Sequence, residues 1–196
     1  MIVEATKKYP KIALGCSFGK DSMVTLHLVL SVYPDIPVFS VLADTEFPET
    51  YAFIKDVVAQ YKLNYAEHIF NQQAGEKCCG KPKVEKTKEA LAKYDAWISG
   101  VRRTEGITRA NFEPIEEKNG LVKINPILDF TELDIWRYLA LNQIPINPMY
   151  KKGYRSLGCG LCSFPEEDES ETERAGRWKG TADACGECGI HTQPLR

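Results

Sequence analysis

Short apolar runs alternate with stretches of helical periodicity along the first half of the chain. Four of these runs are predicted strands, at residues 11–16, 38–43, 64–70 and 96–101. Apolar positions with helical spacing follow the first two runs, at residues 22–32 and 49–61. Strands that are apolar throughout are typical of a parallel sheet covered on both faces. The alternation of strands and helices therefore predicts an α/β fold with a doubly wound, mostly parallel sheet.

The pattern changes after a polar turn at residues 118–120. Residues 131–142 are a predicted helix, with Thr131 as its N-terminal cap. In the last quarter of the chain glycine, cysteine and charged residues dominate, and no long apolar run returns. We therefore expect residues 1–150 to form the α/β domain. Residues 151–196 are expected to form a loop-rich C-terminal tail packed on the same domain.

Composition narrows the class of protein. With 43% hydrophobic and 27% charged residues, the 196-residue chain has the makeup of a soluble globular protein that buries its own core. Its net charge of −2 gives no bulk basic character that would indicate nucleic-acid binding. No run reaches the ~20 apolar residues that span a bilayer, and the N-terminus lacks a signal-type apolar segment. We therefore expect a cytoplasmic protein, in which seven cysteines indicate metal binding or redox chemistry rather than disulfides.

Residues 17–22, with the sequence Ser-Phe-Gly-Lys-Asp-Ser, join the first predicted strand to the first predicted helix. Gly19 lets the backbone approach an anion closely, and the helix N-terminus supplies free N–H groups with a favourable dipole. Ser17, Lys20 and Ser22 can add donors. The spacing of a Walker A loop is absent. The turn is thus either a phosphate-binding loop or an ordinary tight connection with an N-cap.

Four cysteines have spacing that suits a metal site. Cys78 and Cys79 are adjacent, and Cys159 and Cys162 form a C-x-x-C pair. Four thiolates suit zinc or an iron–sulfur cluster, and adjacent cysteines favour a multi-iron cluster because neighbouring side chains diverge. A redox pair at the C-x-x-C, or buried cysteines without a ligand, are the alternatives. Cys16, which ends the first predicted strand, is expected to be a packing residue.

The motifs resemble those of a known family. The turn resembles the modified P-loop, S-G-G-x-D-S, of the adenine nucleotide α-hydrolase-like superfamily, with Phe18 in place of the first glycine. Five further segments resemble, in the same order, motifs of assimilatory adenylyl-sulfate reductases of the phosphoadenylyl-sulfate reductase family, iron–sulfur type. They are residues 78–85, 97–103, 153–162, 174–178 and 187–191. The resemblance implies an adenine nucleotide α-hydrolase-like fold.

The resemblance also implies a reaction, in sulfate assimilation and cysteine biosynthesis. Cys188 would attack the sulfur of adenylyl sulfate, releasing AMP and forming a Cys188 S-sulfonate. A thiol of thioredoxin or a similar donor would then release sulfite. The family binds a [4Fe–4S] cluster through four cysteines, which here are Cys78, Cys79, Cys159 and Cys162.

Further residues match substrate-contacting positions of the family. They are Ser17, Gly19, Lys20, Asp21, Ser22, Asp44, Thr45, Lys83, Gly100, Arg109, Arg174, Arg177 and His191. Among these, Lys83 matches the lysine that bridges cluster and substrate. Arg102 and Arg103 are expected to be solvated surface charges. A homo-oligomer is compatible with the resemblance.

Other readings remain open at this point. The substrate is adenylyl sulfate, its 3′-phosphorylated form, or both. An ATP-using tRNA sulfur transferase shares the turn and often carries cluster cysteines, whereas a zinc-stabilised binding module would account for the cysteines without catalysis. Cys185 forms a second C-x-x-C with Cys188, so it is either a resolving thiol for the S-sulfonate or an incidental exposed thiol.

Overall fold

The computed structural model describes residues 1–72, 81–166, 172–177, 187 and 189–196. Six strands form one sheet: β1 (Ile12–Gly15), β2 (Val38–Ala43), β3 (Tyr65–Phe70), β4 (Ala96–Ile98), β5 (Ile115–Lys118) and β6 (Leu121–Ile124). The α-helices are α1 (Ile2–Lys8), α2 (Lys20–Leu30), α3 (Pro48–Tyr61), α4 (Lys81–Leu91), α5 (Glu132–Leu141) and α6 (Gly189–Thr192). Short 3₁₀ helices are found at Arg103–Glu105, Ile107–Arg109 and Pro148–Lys152.

The sheet is mostly parallel and doubly wound, as predicted. Its strand order is β3-β2-β1-β4-β6-β5, and only β5 runs antiparallel to its neighbour. The chain winds outward from β1 to β3 and then returns to the other side of β1 for β4. The strand order therefore reverses between β1 and β4, and the crevice at their carboxyl ends is where open α/β sheets bind ligands.

Two cores cover the two faces of the sheet. Ile12 and Leu14 of β1 point to the core shared with α2, α3 and α5, whereas Ala13 points to the core shared with α4. The alternation follows from the two-residue period of a strand. Leu195 is buried in the second core, beside Trp97, so the end of the chain is packed against the sheet.

Five of the helices and strands, α1, α4, β5, β6 and the short α6, were not predicted from the apolar pattern. In α1 only Ala5 is buried, and most residues of α4 are lysines and glutamates, so both helices have a weak apolar pattern. The sequence of β5 is polar and largely exposed, because β5 is an edge strand. The buried strand β6 contains Lys123, which interrupts its short apolar run. The predicted turn at 118–120 is confirmed as the link between β5 and β6, where Asn119 and Gly120 both have positive φ, as the tight hairpin turn requires.

The predicted cap of α5 is also confirmed. The Thr131 side chain accepts a hydrogen bond from the Asp134 backbone N–H, and the Asp134 carboxylate accepts one from the Thr131 backbone N–H. This reciprocal pair satisfies two N–H groups that a helix end leaves without partners.

The tail is less regular than the rest of the chain. Its described residues after Gly153 are mostly loops, apart from α6 and an isolated bridge between Ser163 and Arg177. The boundary at residue 150 stays a prediction. No helix within the described ranges is long and apolar enough to cross a membrane.

Two leucines of α5 test how this helix packs. Leu139 is 1% exposed and lies in the first core, whereas Leu141 is 83% exposed. We expect Leu139→Ala to lower the free energy of unfolding by about 2–5 kcal/mol, because it leaves a cavity. Leu141→Ala, the matched control, should change it by less than about 0.5 kcal/mol. Urea denaturation measures both values, and equal losses would contradict this packing.

Candidate functional site

The turn after β1 and the loop after β4 meet at the point where the strand order reverses. Gly100 follows β4 and lies against the first turn of α2. A Cβ at Gly100 would come within 2.9 Å of the Thr25 Oγ1 and 3.2 Å of the Asp21 carbonyl oxygen. Glycine is therefore required for this close approach, which places both connections at one edge of the sheet.

Phe18 explains how the turn works without the first glycine of the S-G-G pattern. Its φ is 56°, a left-handed conformation that costs a non-glycine residue about 1–2 kcal/mol. Its ring is fully buried and meets the Tyr65 ring edge-on, with the centroids 5.7 Å apart. Burial of an aromatic ring offsets the strain. The backbone thus keeps the shape that glycine would allow, and the side chain becomes part of the core.

A cavity of about 190 Å³ opens at this edge of the sheet. Most of the predicted substrate-binding residues line it: Ser17, Gly19, Lys20, Asp21, Ser22, Lys83, Gly100, Arg109, Arg174, Arg177 and His191. The predicted cluster ligand Cys159 lines it as well. The fold therefore brings together residues that are far apart in the chain, although their contacts with a substrate stay a prediction.

Asp44 and Thr45 lie outside the lining of this cavity. The Asp44 carboxylate accepts a hydrogen bond from the Gln72 backbone N–H at 2.9 Å, and Thr45 Oγ1 donates to Gln72 Oε1. The Thr45 carbonyl oxygen also accepts a hydrogen bond from Gly160 N at 3.1 Å. In this structure the two residues support neighbouring loops.

Lys20 is a buried connection between the turn and the tail. Its ammonium group donates to the Arg155 carbonyl oxygen at 2.6 Å and lies 3.3 Å from the Glu173 carboxylate. The Glu132 carboxylate is 3.7 Å away. The Lys20 backbone N–H donates to the Tyr150 hydroxyl at 2.7 Å. Both the charge and the backbone donor of Lys20 are therefore used by the protein itself.

Arg102 is fully buried, so the prediction of a solvated surface charge was wrong. Its guanidinium donates to both carboxylate oxygens of Glu173 and to Asp21. A bidentate arginine–carboxylate pair is among the strongest charged hydrogen bonds. Burial is the largest influence on Asp21 and raises its pKa to about 6, and the nearby Glu105 adds to this. Arg103 is partly exposed and pairs with Asp129, closer to the expectation.

A second buried ion cluster lies beside the first. Arg109 donates to Glu105 through Nη1 and to Glu187 through Nε and Nη2. Arg174 Nη1 is 3.4 Å from Glu187 and 3.8 Å from Glu105. Burial alone would raise the pKa values of the two glutamates, but the Arg109 and Arg174 guanidiniums hold both below their usual range. Both carboxylates are therefore charged at neutral pH.

His191 of α6 stacks on Trp97 of β4. The ring planes are 5° apart and the centroids 6.2 Å apart. Burial, together with the nearby Lys123 and Arg109 charges, lowers the pKa of His191 well below its usual value. His191 is therefore a neutral imidazole at pH 7, so it can offer hydrogen bonds to a ligand but no charge.

Cys159 and Cys162 point toward each other inside a tight loop. Both are buried, and their sulfur atoms are 3.2 Å apart, which is too long for a disulfide. Arg177 Nη2 lies 3.6 Å from the Cys162 sulfur, and Nη1 donates to the Leu157 carbonyl oxygen. A Cβ at Gly158 would come within 2.3 Å of the Arg177 guanidinium. The absence of a side chain at Gly158 therefore leaves room for this guanidinium beside the loop.

Four predicted functional cysteines, Cys78, Cys79, Cys185 and Cys188, lie outside the described residues. Within the part of the chain that is described, no group of three or more His, Cys, Asp or Glu side chains is arranged to hold a metal ion. Cys16 is buried, and burial raises its pKa to about 12, in line with a packing role.

Several residues of the site were not predicted, namely Arg102, Glu105, Tyr150, Glu173 and Glu187. The two glutamates of the tail directly precede Arg174 and Cys188, so their positions beside predicted site residues were a usable signal. Arg102 follows the carboxyl end of β4, where ligand sites form in such sheets. Tyr150 carried no signal, because nothing in the proline-containing loop around it indicates that its hydroxyl faces the turn after β1.

The strand order, the turn at its reversal point and the cavity above it define an α/β protein with the adenine nucleotide α-hydrolase-like fold. Solved structures agree on the fold. Phosphoadenylyl-sulfate reductase from Candida auris matches 81% of this chain and 86% of its own with a TM-score of 0.67, at 21% identity. FMN adenylyltransferase from Candida glabrata matches 83% of this chain and 60% of its own with a TM-score of 0.66, at 22% identity.

The family is shown by sequence. Residues 11–165 match the model of the phosphoadenosine phosphosulfate reductase domain. Adenosine 5′-phosphosulfate reductase of Halalkalibacterium halodurans is 36% identical over 92% of this chain and 85% of its own length. Phosphoadenosine 5′-phosphosulfate reductase of Gloeobacter violaceus is 32% identical over 97% of this chain and 87% of its own. The chain belongs to the phosphoadenosine phosphosulfate reductase domain family.

The adjacent arginines 102 and 103 offer a matched test of the buried network. We expect Arg102→Met to lower the free energy of unfolding by about 3–5 kcal/mol, because Asp21 and Glu173 would keep buried charges without their main partner. Arg103→Met should cost about 1 kcal/mol or less, because its pair with Asp129 is close to solvent. Chemical denaturation of the two variants measures the difference. Similar losses would contradict the assignment of Arg102 to the network.

Proposed function

We propose that this protein reduces adenylyl sulfate to sulfite and AMP in sulfate assimilation, with Cys188 as the nucleophile. The observation that carries the proposal is the cavity, in which the turn after β1 meets Arg109, Arg174 and His191. A cationic pocket at the reversal point of such a sheet suits an adenine nucleotide with two adjoining oxyanions. The membership of the chain in the phosphoadenosine phosphosulfate reductase domain family supports the reduction of a sulfonucleotide as the reaction in this pocket.

The reaction runs in two displacement steps. The Cys188 thiolate attacks the sulfur of adenylyl sulfate, the bond from sulfur to the bridging oxygen breaks, and AMP leaves with the bonding electron pair. A second thiolate then attacks the Cys188 sulfur, forming a disulfide and releasing sulfite. Sulfur gains two electrons, which the two thiols lose on forming the disulfide. A dithiol donor of the thioredoxin type would restore the thiols.

Each described residue of the cavity has a proposed role. Arg109, Arg174 and Arg177 would bind the phosphate and sulfate oxygens, because a guanidinium engages oxyanions through two bonds. Lys83, which lines the cavity from α4, would add a further cation. His191 would act as a neutral hydrogen-bonding group. Ser17 and Ser22, whose hydroxyls are 2.7 Å apart, would contact the nucleotide at the turn.

We propose adenylyl sulfate as the substrate rather than its 3′-phosphorylated form, because several relatives named for adenylyl sulfate match this chain, at 32–36% identity. A relative named for the 3′-phosphorylated form matches at 32%, so the two substrates belong in the same experiment. We further propose that the enzyme works in the cytoplasm, where a thiol-dependent reaction finds reduced donors.

An ATP-using sulfur transferase that acts on tRNA would need an RNA-binding face. The net charge of −2 gives no support for such a face. The relatives that match this chain over most of its length are named as sulfonucleotide reductases, which favours the proposed reaction.

The proposal includes a [4Fe–4S] cluster held by Cys78, Cys79, Cys159 and Cys162. The described half of this donor set fits, because the Cys159 and Cys162 sulfurs share one side of their loop. The Arg177 guanidinium beside Cys162 would favour a charged thiolate there. When bound, the cluster would join two cysteine segments by thiolate ligation and bring its charge to the loop that lines the cavity.

The cluster can be tested by metal analysis. Protein purified without oxygen is expected to contain iron and acid-labile sulfide and to absorb broadly in the visible range. Cys162→Ser should lose both iron and sulfide, because it removes one of four ligands. Cys16→Ser is the matched control and should keep them, because Cys16 packs under the turn. Zinc without sulfide would overturn the cluster and would support the zinc-stabilised module instead.

The central step can be tested by mass spectrometry. With adenylyl sulfate and no external thiol, the tryptic peptide of residues 180–196 is expected to gain one sulfonate group while AMP is released. Cys188→Ser should abolish the gain, and initial rates with the 3′-phosphorylated nucleotide decide between the two substrates. Absence of the sulfonate with both nucleotides, in the wild type and in Cys185→Ser alike, would overturn the proposal, as would formation of AMP and pyrophosphate from ATP.

The same experiment tests a role for Cys185. If Cys185 resolves the S-sulfonate, the wild-type peptide should carry a Cys185–Cys188 disulfide, and Cys185→Ser should retain the sulfonate. Sulfite release in a single turnover without external thiol should then fall in Cys185→Ser. An unchanged release would leave Cys185 as an incidental thiol.

A further inference from the structure

Two carboxylates share Arg109, and they lie on different sides of it. Glu105 accepts from Nη1, whereas Glu187 accepts from Nε and Nη2. Glu105 lines the cavity together with Arg109 and Arg174, but Glu187 lies outside the lining. The Glu105 carboxylate therefore lies in the same space that an oxyanion would enter to reach Arg109 and Arg174.

The charges of this group cancel. Arg109 and Arg174 carry two positive charges, and Glu105 and Glu187 carry two negative charges. Asp21, which also lines the cavity, is close enough to Glu105 for each charge to disfavour the other. A phosphosulfate that entered the cavity would therefore meet little net attraction from the arginine pair while Glu105 keeps its place.

We propose that Glu105 is an internal competitor of the substrate. Its carboxylate pairs with Arg109 and Arg174 in this structure, and the phosphosulfate group must displace it in order to bind. Glu105 thus sets the affinity for the nucleotide and keeps the buried guanidiniums paired between turnovers. The inference rests on the proposed function, because it takes the oxyanions of the substrate as the group that replaces the carboxylate.

Glu187 has a different part in the same cluster. It holds the Nε and Nη2 edge of Arg109 from outside the cavity and is adjacent in sequence to Cys188. Substrate binding does not require it to move. Glu187 is therefore a positioning residue for Arg109, and it provides a control of equal charge that contacts the same arginine.

The test is to measure binding of adenylyl sulfate by isothermal titration calorimetry, with Cys188→Ser as the background so that no sulfonate transfer occurs. We expect Glu105→Gln to lower the Kd about tenfold, the equivalent of about 1.4 kcal/mol, because the competing charge is gone. Glu187→Gln removes an equal charge but leaves the Glu105 carboxylate in the cavity, so it is expected to lower the Kd by much less than Glu105→Gln does. Thermal unfolding of each variant shows whether its fold is retained.

The outcomes separate the inference from the proposed function. If Glu105→Gln leaves the Kd unchanged or raises it, or if both variants lower the Kd equally, the internal competitor is wrong. If the parent Cys188→Ser protein binds no adenylyl sulfate, the proposed function itself fails, and the inference falls with it.

A second variant covers the case in which Glu105→Gln does not fold. Glu105→Asp keeps the charge but shortens the reach to Arg109 by one methylene, so it should lower the Kd in the same direction by a smaller factor. A raised Kd in Glu105→Asp would overturn the proposal on its own.

Discussion

The buried pairing of Arg102 with Glu173 and Asp21 is the contact on which the site depends. It joins three segments that are distant in the chain: the loop after β4, the tail and the first turn of α2. Lys20 reinforces the same junction, because its ammonium group lies beside Glu173 and is almost fully buried. A buried charge that loses its partner destabilises a protein by several kcal/mol. These segments are therefore held to one arrangement, in which the arginines of the tail line the cavity.

The sheet supplies the frame for this junction. Because the strand order reverses between β1 and β4, the connections that follow them diverge and leave a crevice. Gly100 allows the two connections to approach each other, and the ring of Phe18 anchors the turn from below. The fold thus fixes the floor of the cavity through apolar packing and fixes its walls through ion pairs. The two kinds of contact respond differently to mutation. Replacing an apolar residue of the floor leaves a cavity, whereas replacing a charged residue of the walls leaves its buried partner without a counter-charge.

Much of the fold and part of the site follow from the sequence. The apolar runs predicted β1 to β4, α2, α3 and α5, because apolar residues recur in these segments as short runs or with helical spacing. They could not predict α4 or β5, whose stability comes from neighbours rather than from their own pattern. Family motifs predicted most of the residues that line the cavity. They did not predict that Arg102 is buried, because its carboxylate partner Glu173 is 71 positions away and a single sequence does not pair charges at that distance. The positions of Cys78, Cys79, Cys185 and Cys188 lie outside the described residues.

The stacking of Trp97 on His191 has an optical consequence. The indole lines the cavity and lies parallel to an imidazole that belongs to the tail. Indole emission is sensitive to nearby charges and to contact with an imidazole. Of the other two tryptophans, Trp136 packs edge-on against Tyr150, and Trp178 lies outside the described residues. Trp97 is therefore an intrinsic fluorophore at the junction of sheet and tail, and replacing the other two tryptophans with phenylalanine would isolate its emission.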